Sequence, residues 1–219
     1  MEKLFLPLLN CNLFQGIKEE EIEAMLKCLN AKVKVYKKDD FIYHEGQKIQ
    51  NIGVILSGSV QIIKEDFYGN RNILSRLVQS EAFGESFACA DIAALPVNVI
   101  AAEDCSVLFL NCRKITDTCT STCSFHKQII YNLLCDIATK NIAFQQKIEI
   151  TSKRTTREKL MTYLTVQARL HQSNSLPIPY NRQELADYLE VDRSAMSAEI
   201  SRLKKEGLID CRRSEFTIL

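Results

Sequence analysis

Apolar residues change their spacing three times along this chain. Near the start, after Leu13-Phe14-Gln15-Gly16-Ile17, the positions Ile22, Met25, Leu26 and Leu29 recur at helical intervals. Glu19-Glu20-Glu21 stand where the positive end of a helix dipole favours negative charge, so residues 13–29 read as a short helix. From about 31 to 110 the pattern shortens. Val33 and Val35 alternate with lysines. Ile52-Gly53-Val54-Ile55-Leu56, Val60-Gln61-Ile62-Ile63, Ile73-Leu74-Ser75-Arg76-Leu77 and two runs at 97–101 and 107–110 follow. Gly46, Gly58, Gly69 and Gly84 punctuate them where tight turns need a positive φ. Many short strands between glycine turns predict an antiparallel barrel or jelly roll with an interior able to hold a small ligand.

The third pattern begins near residue 124, where Gly and Pro disappear until the loop at 172–179. Ile130, Leu134, Ile137, Asn141, Phe144 and Ile148 are spaced by alternating fours and threes, the seam of a coiled coil. Phe125, Ile129 and Leu133 form a second stripe suited to packing on the roll. A helix over 124–150 would be about 40 Å long, more than one small roll can cover, so the surplus seam predicts a second copy in a symmetric dimer.

A further helix starts around Thr155, with Leu160, Tyr163, Leu164 and Ala168 on one face. Asn181-Arg182-Gln183-Glu184 then reads as a capping box. Leu185, Ala186 and Leu189 make an apolar stripe, Glu190-Val191 a turn, and Asp192 the cap of a second helix running to about residue 206, with Gly207 as its stop. Met196, Ile200 and Leu203 point one way; Arg193, Ser194, Ser197, Ser201 and Lys204 point the other, the chemistry of a helix that reads base edges. The terminal stretch 208–218 reads as a hairpin whose basic tip, Arg212 and Arg213, meets phosphates as a wing. Three regions follow: an α+β organisation with a roll at 1–123, a dimerisation helix at 124–150 and a winged helix-turn-helix at 151–219.

Charge first opposes this reading and then supports it. Lys and Arg total 28 against 27 acidic residues, a net charge of +1. Residues 151–219, however, hold 4 Lys and 8 Arg against 9 acids, net +3, leaving −2 on the rest. Hydrophobic residues make up 46% and charged residues 25%, as in a globular chain. No stretch approaches the roughly 20 apolar residues of a membrane span. Leu4-Phe5-Leu6-Pro7-Leu8-Leu9 is too short for a secretory core, and Leu9-Asn10-Cys11 lacks the small apolar residue of a lipoprotein site, so a cytoplasmic protein with reduced cysteines is expected.

This order of parts, with Gly84-Glu85-Ser86-Phe87 and Asp192-Arg193-Ser194-Ala195-Met196-Ser197, resembles the Crp/Fnr family of bacterial transcription regulators over nearly the whole chain. The resemblance implies a non-enzymatic homodimer on a palindromic operator in double-stranded DNA, recognition helices in successive major grooves, and RNA polymerase as a further partner of an activator. Arg193 matches the family's first contacting arginine. Ser194 stands where the cyclic-AMP-receptor branch has a glutamate, and Ala198 where it has a second arginine, so the half-site should differ. In the effector pocket, formed by Gly84, Glu85, Ser86 and Leu95, Glu85 keeps the ribose position. The phosphate-gripping Arg-Ser/Thr pair falls on Leu95-Pro96, and no Arg or Lys occurs from 84 to 110. Cyclic AMP is therefore not expected, no cofactor or metal is identified, and the signal is an unknown small molecule or redox change.

Other readings are weaker. Cys119 and Cys123, four apart, could serve a redox or metal sensor, or the chain could bind DNA constitutively without an effector. Cys11 and Cys28 alone are too sparse for an Fnr-type iron–sulfur cluster, and Cys89 has no histidine near it for a haem. A cupin-type enzyme needs paired histidines in the roll, which has only His44; His126 and His171 lie elsewhere. A cyclic-nucleotide regulatory module attached to another activity leaves the helix-turn-helix unexplained.

Overall fold

The computed structural model describes residues 2–116, 124–212 and 215–219. The chain divides into two compact units, residues 1–70 with 74–140 and residues 71–73 with 141–219.

In the first unit, α1 (Glu2–Leu9), a 3-10 turn (Asn12–Phe14) and α2 (Glu19–Cys28) precede the strands. Sequence spacing predicts one helix over 13–29; the chain instead turns at Gly16 (φ 76°) and begins α2 at Glu19, its three glutamates in the first turn. Strands β1 (Lys32–Tyr36), β2 (Phe41–Tyr43), β3 (Asn51–Ser57), β4 (Ser59–Glu65), β5 (Arg71–Val78), β6 (Ala82–Phe83), β7 (Asn98–Ala101) and β8 (Cys105–Asn111) form two four-stranded sheets, ordered β1-β8-β3-β6 and β2-β7-β4-β5. They make a jelly-roll-like pair of sheets rather than a closed barrel. Gly46, Gly58, Gly69 and Gly84 all have positive φ, as the turns require.

The period of two along a strand explains why Ile52 to Leu56 reads as an unbroken apolar run. Ile52, Val54 and Leu56 face a core shared with Leu8, Phe14, Met25, Phe125, Ile129 and Leu133. Ile55, with Val107 and Phe109 of β8, faces a second core containing Val60, Ile62, Val99, Phe83 and Leu95. Strands β3 and β8 are thus buried on both faces, while the edge strand β1 is exposed. Gly53 is required by this packing: a Cβ there would lie 2.3 Å from the Phe83 ring. Short helices α3 (Glu85–Cys89) and α4 (Cys112–Thr116) flank the last strands, and α5 (Ser124–Thr151) follows. The stripe Phe125, Ile129 and Leu133 of α5 is buried in the first core as expected.

The second unit contains α6 (Thr156–His171), β9 (Ser175–Pro177), α7 (Arg182–Leu189), α8 (Arg193–Lys205), β10 (Ile209–Arg212) and β11 (Glu215–Ile218). The sequence reading of 172–179 as a loop is corrected here. Ser175–Pro177 pairs with β11, with Leu176 opposite Phe216, making a three-stranded sheet ordered β10-β11-β9. The Ser, Asn and Pro content hides a strand held by one buried leucine and its partners. Leu160, Tyr163, Leu164, Leu185, Ala186, Leu189, Met196, Ile200 and Leu203 are buried. Thr155 and Asn181 cap α6 and α7 in capping boxes with Glu158 and Glu184, and Asp192 caps α8.

Candidate nucleic-acid interface and inner site of the roll

The turn between α7 and α8 is short because Glu190 adopts a left-handed conformation (φ 54°) that ends α7, and Asp192 at once caps α8 by accepting the Ala195 backbone N–H at 2.9 Å. The same carboxylate accepts the Ser194 hydroxyl, and these two bonds, the hydroxyl first, hold Asp192 below the usual carboxylate range. The cap fixes the start of α8, the part of a reading helix that meets base edges.

With Met196, Ile200 and Leu203 buried, helical geometry leaves Arg193, Ser194, Ser197 and Ser201 exposed, as the sequence predicts. The Arg193 guanidinium makes no hydrogen bond or ion pair with another described residue. Ser201 donates to the Ser197 carbonyl at 3.1 Å, so its oxygen remains an acceptor toward solvent. On the inner side, Arg157 of α6 pairs with Glu206, 2.9 Å on one arm, and lies 3.4 Å from Glu199. That holds α8 on its neighbour.

Lys204 is less free than its sequence position suggests. Its ammonium is 2.9 Å from Asp210 and donates to the Cys211 carbonyl at 3.0 Å, tying α8 to β10. The Asp210 contact raises its pKa above the ordinary lysine value. Arg182 lies over the Phe216 ring at 4.8 Å and donates to Cys211 Sγ, fastening the hairpin from the other side. Arg212 is exposed at the end of β10; Arg213 lies outside the described residues.

In the roll, Gly84 (φ 80°) turns the chain from β6 into α3 and buries the Glu85 side chain, which is 4% exposed. Lys140 of α5 meets it there. The ammonium is 3.0 Å from Glu85 Oε1 and 2.6 Å from Asp136 Oδ2, and donates to the Ala82 carbonyl at 2.8 Å. Burial alone would lower its pKa, but the two carboxylates outweigh that and hold it above the ordinary value. Of the other pocket positions, Ser86 is exposed, while Leu95 is buried in the apolar core between the sheets. Glu85 thus faces Lys140, and Leu95 faces the apolar core. Sequence reasoning missed Lys140, which lies 55 positions from Glu85 and sits on the predicted dimer helix.

Along α5, Ile130, Leu134, Asn141, Phe144 and Ile148 are exposed, Leu134 and Ile148 at 65% each. Ile137 is half-buried against the roll's first core. Cys119 and Cys123 lie outside the described residues. Among the described residues no cluster of three or more His, Cys, Asp or Glu could hold a metal, and no helix is long and apolar enough to cross a membrane.

A double-sheet roll, a long helix with an apolar stripe in solvent and a winged helix-turn-helix define a DNA-binding type of regulator. Two family models match these parts in order: a cyclic nucleotide-binding domain over residues 33–122 and a Crp-like helix-turn-helix domain over 158–219. The chain is 23% identical over 188 residues, 84% of its length and 75% of the relative's, to the transcriptional activator protein FnrA of Stutzerimonas stutzeri. Its fold matches the c-di-GMP-responsive global regulator CLP of Xanthomonas campestris with a TM-score of 0.73, at 16% identity over 92% of this chain and 99% of that one. FixK2 of Bradyrhizobium japonicum follows with a TM-score of 0.66, at 18% identity over 86% and 92%. The chain belongs to the Crp/Fnr family of transcription regulators.

Proposed function

We propose that this regulator acts as a cytoplasmic, non-enzymatic homodimer that binds a palindromic operator, with RNA polymerase as a partner where it activates. The observation that carries the reading is the outer face of α8, where Arg193, Ser194, Ser197 and Ser201 stand exposed behind a firmly capped start. Arg193 reads a base edge, the serine hydroxyls accept or bridge through water, and Arg212 and Arg213 of the wing grip phosphates. Lys204 adds charge while positioning the wing through Asp210. The exposed seam residues of α5 pair with their copies, and Asn141 fixes the register. A domain split at 123 and 150 follows from these roles: effector roll, dimer helix, DNA reader.

The signal is not cyclic AMP. No cation occurs between 84 and 110 for its phosphate, Leu95 is in the apolar core, and Glu85 is already paired with Lys140. Attachment to an unrelated activity is disfavoured because the second family model lies on the DNA-reading helices.

Selection of bound duplexes from a random library tests the whole reading. Two half-sites one helical turn apart are expected, and Phe144→Asp should both yield a monomer by analytical ultracentrifugation and abolish the two-site footprint. Selection of no sequence, or a Phe144→Asp variant that stays dimeric, would remove the proposal.

A further inference from the structure

We propose that Cys89 and Cys112 form a reversible dithiol–disulfide couple, a modification site at which a hydroperoxide oxidises the roll. Cys89 ends α3 and Cys112 begins α4, 23 positions apart, and their sulfurs lie 3.1 Å from each other. A disulfide of about 2.05 Å asks them to close by only about 1 Å. The approach is held from both sides. Asp91, two residues beyond Cys89, pairs with Arg113 of α4 at 3.1 Å and with Lys48 at 3.0 Å. The Cys112 backbone N–H donates to the Gln50 carbonyl at 2.9 Å.

The two thiols are unlike, as a nucleophile and a resolving group must be. Cys89 is exposed and Cys112 buried. The two sulfurs share a hydrogen bond in which either thiol can donate; with Cys112 as the donor the bond lowers the pKa of Cys89, while keeping the donated proton and burial both raise that of Cys112. The accessible sulfur is therefore the one favoured as thiolate, the form that attacks.

The Cys89 thiolate attacks one oxygen of the hydroperoxide; an S–O bond forms, the O–O bond breaks, and the leaving alkoxide takes up the proton Cys89 lost, leaving as an alcohol. Cys112 then attacks the sulfenic sulfur. The S–S bond forms, the S–O bond breaks, and the departing hydroxide leaves as water with the Cys112 proton. Two thiols are oxidised and the peroxide is reduced to alcohol and water; a dithiol reductant, itself becoming a disulfide, restores both thiols.

The couple has a lever. Cys89 lies four residues after Glu85 on one face of the five-residue α3, and Glu85 is the partner of Lys140 on α5. Drawing the C-terminal end of so short a helix toward α4 moves its N-terminal end as well, so the thiol state reaches the long helix through a buried ion pair. This consequence rests on the proposed regulator; the disulfide does not.

The test treats reduced full-length protein with hydrogen peroxide, denatures it in N-ethylmaleimide and maps the peptides by mass. Cys89 and Cys112 peptides should be joined, lighter by two hydrogens, and freed by dithiothreitol. Cys112→Ser should leave Cys89 as a sulfenic acid that dimedone captures, whereas Cys89→Ser should leave Cys112 alkylated. Both cysteines alkylated in the peroxide-treated parent, or joined instead to Cys119 or Cys123, would overturn the couple. On a duplex selected by reduced protein, oxidation should change Kd by about tenfold in the parent and not in Cys89→Ser. A disulfide with unchanged affinity overturns the lever alone. A disulfide in a protein that selects no DNA in either state confirms the couple and overturns the regulator reading.

Discussion

Arg193 and Glu85 lie in the two motifs that carry the family resemblance, yet the structure treats them oppositely. Arg193 stands in solvent on the first turn of α8 with no partner among the described residues. Glu85 is buried and joined to Lys140, which also holds Asp136 and the Ala82 carbonyl. An exposed arginine can bind a base or phosphate without giving anything up. A ligand that needs Glu85 must displace a buried ammonium and leave charge uncompensated. The second unit therefore leaves its arginine open to a partner, whereas the inner site of the roll ties Glu85 to α5 as a brace.

The largest test of that contrast is Lys140→Met. It leaves two buried carboxylates facing each other and should cost about 3–5 kcal/mol of stability, read as a lower urea midpoint of the roll. Adding Glu85→Gln and Asp136→Asn should recover most of the loss. A cost under about 1 kcal/mol for Lys140→Met alone would mean the site is wetter than its burial suggests.

The second unit has its own buried lysine, and here the sign is reversed. Lys147 lies 3.8 Å above the Tyr188 ring and donates to the Tyr188 carbonyl, but burial drives its pKa down to about 8 from the ordinary 10.5. Below pH 8 both folded and unfolded chains carry the proton and the cost of burying the charge is fully present. Between about 8 and 10.5 the unfolded chain holds a proton that the folded one has released, so stability rises with pH, by about 3 kcal/mol in all. Lys147→Met should flatten that rise in urea unfolding measured from pH 7.5 to 11. An equal slope in both proteins would show that Lys147 stays charged.

Arg193→Ala probes the open side. If the guanidinium reads a base edge, its removal should cost about 1–3 kcal/mol of operator affinity and relax selectivity at one base pair, with the unfolding midpoint unchanged. Fluorescence anisotropy on the selected duplex and on single-base variants separates this from a uniform weakening.

What is legible in the sequence follows from the range of the interaction. The caps Thr155, Asn181 and Asp192 act within three residues, so the helix starts in the reading unit can be placed from local residues alone. The stripes of α5 are legible for the same reason, since 3.6 residues per turn convert spacing into faces; that Ile137 is half-buried against the roll is not legible, because only the folded roll shows which side of a borderline position is covered. The strand at Ser175–Pro177 owes its existence to β11, some forty residues on, and carries no alternation of its own. Glu85–Lys140 and Cys89–Cys112 are likewise made by the fold, 55 and 23 positions apart. Spacing alone points instead to Cys119 and Cys123, four apart, as the pair.

Arg212 offers the smallest expected effect and the sharpest complement to Arg193. It is exposed at the end of β10, on a hairpin whose position Lys204, Asp210 and Arg182 fix without touching Arg212 itself. Arg212→Ala should therefore leave the wing in place and remove only charge. A phosphate interaction carries no sequence information, so affinity should fall by a similar factor on matched and mismatched duplexes. The slope of log K against log salt should shrink by about 0.9 for each phosphate no longer neutralised, or about twice that if both subunits of a dimer contribute. A variant that weakens the matched duplex alone would make Arg212 a reader of bases or groove shape, and the division of labour between helix and wing would have to be redrawn. An unchanged slope would place the wing away from the backbone, leaving the modest +3 of residues 151–219 to act through α8 and its neighbours.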